Sequence, residues 1–77
     1  MIQNNKIMKT KPGLSYETAI PVKQVHEEYT WLRINFPGHI CNKQVQIQNS
    51  LGTFDVMEIY TAQKKEIKLY FHLIKNI

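Results

Sequence analysis

Between residues 22 and 36, apolar side chains recur at Val22, Val25, Tyr29, Leu32 and Phe36. The steps alternate between three and four, which sets all five on one stripe of an α-helix. Glu27 and Glu28 fall in its first half and Arg33 near its end, an order that suits the helix dipole. Pro37-Gly38 stops it, since proline cannot continue the ladder and glycine takes a left-handed conformation at little cost. The spacing predicts a helix over about residues 21–35. Pro21 is tolerated at the first helical position, where its missing N–H has no partner. Residues 18–22, Thr-Ala-Ile-Pro-Val, also fit a short strand ending near that proline, and the pattern leaves both open.

Beyond Gly38 the period falls to two. Val45 and Ile47 alternate with Gln44, Gln46 and Gln48, giving a strand with one apolar and one polar face. Asn49-Ser50-Leu51-Gly52 is a turn signal. Over residues 53–61, Phe54, Val56 and Tyr60 share one parity, and Met57 and Ile59 the other. A strand apolar on both sides is central or covered on both faces. After Gln63-Lys64-Lys65, a third strand sets Ile67, Leu69, Phe71 and Leu73 against Lys68, Tyr70 and His72. Short connections favour antiparallel hairpins. The expected class is α+β: one helix packed on a three- or four-stranded antiparallel sheet, in the order (β)-α-β-β-β.

The chain has 77 residues, 43% apolar and 21% charged, which fits one globular domain. No run approaches the roughly 18 apolar residues of a membrane span. Met1 to Lys11 is polar and lacks the apolar core of a signal peptide. With a lone Cys41, which forms no intramolecular disulfide, this sets the expectation of a cytoplasmic protein without membrane contact.

The formal charge of +4 is unevenly placed. Residues 1–13 carry Lys6, Lys9 and Lys11 and no acid, whereas residues 14–77 carry seven basic and six acidic side chains. The expected organisation is therefore a flexible basic arm, 1–13, closed by Pro12-Gly13, and a nearly neutral two-layer domain, 14–77. Met8 is an alternative start.

Short motifs recur in a known setting. Ser15-Tyr16-Glu17-Thr18-Ala19-Ile20 precedes Glu28-Tyr29-Thr30-Trp31-Leu32, followed by Phe36-Pro37-Gly38, Phe54-Asp55-Val56 and Lys65-Glu66-Ile67-Lys68-Leu69-Tyr70-Phe71. This resembles a group of small uncharacterised bacterial proteins, a domain of unknown function. Its members carry Tyr-Glu-x-Ala-Ile, Glu-Tyr-x-Trp-Leu, Tyr-Pro-Gly and Tyr-Asp-Ile motifs. Here Phe36 and Phe54 stand where the group has tyrosine, and the link from first strand to helix is shorter. The resemblance implies the α+β architecture and assigns no catalytic or binding residue.

Catalytic patterns are missing. His26-Glu27-Glu28 lacks the second histidine of a zinc-protease helix, because position 30 is Thr30. His39, Cys41 and His72 are soft metal ligands without the paired spacing of a zinc site. Cys41 with either histidine lacks the signs of an activated thiolate or an oxyanion site. The glycines are isolated at Gly13, Gly38 and Gly52, so no phosphate loop is formed. A domain this small buries only about 60% of its unfolded surface, which leaves little room for a water-excluded active site. No enzyme, metal or cofactor is expected.

Two binding readings remain. Trp31 lies about 140° from the centre of the apolar stripe, at 100° per residue, with Ile34 near it. Aromatic anchors are enriched at interfaces, so Trp31, Ile34 and Glu27 mark a helix face for another protein or a second copy. An exposed strand edge would serve the same end. The opposing expectation is that residues 14–20 fold over Trp31 and bury it. The alternative function is nucleic-acid binding, through Lys6, Lys9 and Lys11 of the arm and Lys68, Tyr70 and His72 on the outward face of the last strand.

Overall fold

The computed structural model describes residues 12–74, so Lys6, Lys9 and Lys11 lie outside the described residues. Five elements follow in order: β1 (Ile20–Val22), α1 (Val25–Asn35), β2 (Ile40–Asn49), β3 (Gly52–Tyr60) and β4 (Glu66–Leu73). The strand order is β1-β4-β3-β2. The α+β class is as expected, but the sheet is mixed, because β1 pairs with β4 in parallel. The helix carries the chain back, so β2 sets out in the direction of β1. Two hairpin reversals then give β4 that same direction.

The ambiguity at residues 18–22 resolves as a strand. Ile20 and Val22 point into the core while Pro21 faces solvent. The helix therefore starts at Val25, four residues later than its spacing predicts. Its first turn is held by Glu27, whose Oε1 accepts the Lys23 N–H at 2.8 Å. At the other end Phe36 N–H reaches back to the Leu32 carbonyl, and Gly38 takes φ +83° to turn the chain toward β2.

The stripe that packs is rotated from the expected one. Glu28 and Leu32 are buried, whereas Val25 and Tyr29 remain 41% and 40% exposed. Trp31 and Phe36 complete the inward side. They meet Met57 and Ile59 of β3, Ile67, Leu69, Phe71 and Leu73 of β4, and Ile20 and Val22 of β1. The helix thus lies over β1, β4 and β3.

The opposite face of the sheet has a cover of its own. Tyr16 meets the rings of Phe54 and Tyr70 edge-on at 4.9 and 4.7 Å, and His72 stacks on Phe54 at 4.5 Å. This explains why β3 is apolar on both parities: it is interior to the sheet and clothed on both sides. Gly13, placed in the arm by the sequence pattern, belongs to the fold. It is buried, its carbonyl accepts the Tyr70 N–H at 2.7 Å, and its φ of +88° suits glycine.

Candidate functional site

The two edges of the sheet are built differently. At the β1 edge the strand has three residues, with Pro21 in the middle. Beyond it, Gly13 bonds to β4, and the Val22 carbonyl accepts the Ile74 N–H. Shortness and proline are the usual devices that stop an edge from recruiting another strand.

β2 forms the other edge and carries few such devices. It has ten residues without proline, and all but Ile47 are exposed. Lys43 is its one charge, and a bulge between Cys41 and Lys43 interrupts the ladder near one end. Every second residue of an edge strand turns its N–H and C=O away from the sheet, which makes a template for strand addition.

Cross-strand partners share a face, so the register fixes what β2 presents. Val45 lies opposite Val56 and Ile47 opposite Phe54, on the face away from the helix. Gln44 lies opposite Met57 and Gln46 opposite Asp55, on the helix side. The helix reaches this strand by one polar contact, the Tyr29 hydroxyl donating to Gln44 Oε1 at 2.8 Å. The strand is thus amphipathic, with its apolar row running on from buried Phe54 and Val56.

Beneath the helix sit two carboxyl groups that the sequence pattern did not single out. Glu28 is 0% and Asp55 2% exposed. Burial, then a hydrogen bond to Asp55 and the charge of Asp55, push the Glu28 carboxyl up to about 9 from 4.5. At neutral pH Glu28 therefore holds its proton beside Asp55, and both of its oxygens are buried. Gln46 Nε2 makes a long 3.4 Å contact with Asp55 Oδ1. Among the described residues, no group of three His, Cys, Asp or Glu side chains gathers to hold a metal ion.

The residues picked out by sequence are dispersed. Trp31 is half-buried, with Phe71 at 5.7 Å and Phe36 at 6.0 Å between ring centroids. Pro12 and Leu14 border a shallow hollow of about 310 Å³ beside it. Trp31 therefore works as packing, partly roofed by the N-terminal segment. Ile34 is 72% exposed and stands outside the core, and Glu27 serves the helix start. Lys68 is exposed, while Tyr70 and His72 are half-buried with their rings held by Tyr16 and Phe54. His39 Nδ1 lies 3.0 Å from the Phe36 carbonyl oxygen. Cys41 pairs across with Ile59 and His72 with Phe54, which sets them toward opposite ends of β3. Trp31→Ala should cost about 2–4 kcal/mol in urea unfolding. Ile34→Ala should stay within about 0.5 kcal/mol. Similar small losses for both would show that the indole ring does not pack.

No helix among the described residues is long and apolar enough to cross a membrane. No protein-family model, curated protein or solved structure matches the chain.

Proposed function

We propose that the protein is a small non-enzymatic interaction module that adds a partner strand to the open edge of β2. The observation that carries this reading is the contrast between the edges: β1 is short and carries proline, while β2 is long, exposed and proline-free. In strand addition, backbone hydrogen bonds supply affinity and alternate side chains supply selectivity. On β2 these are Val45 and Ile47 on one face and Gln44, Gln46 and Gln48 on the other. A partner strand with apolar and amide-bearing residues on matching faces fits.

A catalytic reading of the Glu28–Asp55 pair draws no support from its setting. Both carboxyls are shut off from solvent, so no substrate reaches them. Nucleic-acid binding by the sheet face has less to work with, since Tyr70 and His72 already have ring partners.

Val45→Lys tests the reading. The side chain is 39% exposed, so lysine can reach water while blunting the edge. Affinity capture from a native lysate, with and without nuclease, should recover a protein partner that survives nuclease and is lost with V45K. At a concentration low enough to keep the chain monomeric, the melting temperature should be nearly unchanged. Capture that V45K leaves intact, or that nuclease abolishes, overturns the proposal.

A further inference from the structure

We infer that the strand added to β2 is β2 of a second copy of this chain, running antiparallel about a two-fold axis centred on Val45. This rests on the edge-strand reading above and names its occupant.

Closure is the first argument. Joining two β2 edges gives one continuous sheet that ends in β1 on both sides. Those ends carry the short strand and Pro21, so the assembly stops at two copies and does not grow into a filament.

Charge and register are the second. Antiparallel pairing about a two-fold axis requires one residue of β2 to face its own copy. Centring on Lys43 sets like charges side by side, which is unfavourable. Centring on Val45 pairs nearly the whole strand, with Lys43 opposite Ile47 of the partner subunit. The two lysines then lie about 13 Å apart along the strand, at about 3.3 Å per residue.

Side-chain continuity is the third. Val45 meets its own copy, so the apolar row from Val56 runs across the axis into the second copy, while Ile47 lies beside the aliphatic stem of Lys43 of the partner subunit. On the helix side Gln44 falls opposite Gln46 of the partner subunit, amide beside amide, where Tyr29 already anchors Gln44. The bulge at Cys41 and Lys43 falls toward the end of the paired stretch.

Light scattering and directed cross-linking test this. Across a micromolar dilution series the mass should fall from twice 9.1 kDa to 9.1 kDa. V45K should raise the midpoint concentration at least about tenfold, a loss of about 1.4 kcal/mol or more. With exposed Cys41 replaced by serine, Val45→Cys should form a disulfide-linked dimer on mild oxidation. A directly opposed pair has Cα atoms about 4.5–5.5 Å apart, within disulfide reach. Lys43→Cys alone should not cross-link, but mixed with Ile47→Cys it should. A chain that stays monomeric at every concentration overturns the inference, as does a dimer that cross-links through Lys43→Cys and not Val45→Cys. A monomer that still captures a partner through a V45K-sensitive edge overturns the second copy and leaves the interaction module standing. A dimer indifferent to V45K overturns both.

Discussion

Glu28→Gln should flatten the dependence of stability on pH and strengthen the fold above neutrality. The Glu28 carboxyl titrates near 9 in the folded chain and near 4.5 when free, so between these values the folded state holds a proton that the unfolded state has lost. Stability then falls as pH rises, by about 1.4 kcal/mol per unit for one proton. The contribution is complete below the free value and gone above the folded one, so the full window spans about 6 kcal/mol. Glutamine keeps an N–H for Asp55 and has no proton to lose. Urea unfolding between pH 5 and pH 9 should show the natural chain weakening steadily. The variant should stay nearly level, so its advantage over the natural chain should grow by about 1.4 kcal/mol for each pH unit up to pH 8. Parallel curves for the two would contradict the buried, protonated Glu28.

Phe71→Ala should bring the chain close to unfolding. Phe71 is fully buried on β4, between Ile20 of β1 and Asp55 of β3, and its ring stands nearly perpendicular to that of Trp31. Truncating a buried phenylalanine costs about 3–5 kcal/mol. A chain of this length has about 4–12 kcal/mol in total. The variant should lose most of its near-ultraviolet signal from Trp31 at 37 °C, and its urea midpoint should drop by half or more. A loss under about 1 kcal/mol would mean that α1 does not pack over β4.

The regular positions were legible because their periods were clean. Ile67, Leu69, Phe71 and Leu73 alternate strictly, and that row is the surface the helix lies on. The two-sided apolar character of residues 54–59 placed β3 inside the sheet. The helix stripe was harder. Val25 and Tyr29 continue the apolar spacing, yet Glu28 occupies the inward position, where burial beside Asp55 raises its pKa and leaves it uncharged at neutral pH. Hydrophobicity alone never assigns a glutamate to the core. Asp55, an acid between Phe54 and Val56 on the parity shared by Met57 and Ile59, was the available signal.

The direction of β1 and the bareness of β2 were less accessible. Three residues carry no period from which to judge parallel from antiparallel pairing. The alternation of Val45 and Ile47 with glutamines reads the same for a strand at the edge as for one with a neighbour. Only the register shows that the glutamines lie on the helix side of the sheet. The buried side of the helix centres on Glu28 and Leu32, and Trp31 lies about 80° from that centre, on the flank, where its ring still reaches Phe71.

The central claim is that β2 docks β2 of a second copy of this chain, and backbone amide exchange recorded at low and high protein concentration tests it most directly. The account predicts that alternate amides from Ile40 to Asn49 exchange more slowly at the higher concentration, while β1 and β4 do not change. Exchange along β2 at the same rate under both conditions, with new protection elsewhere or nowhere, would contradict it.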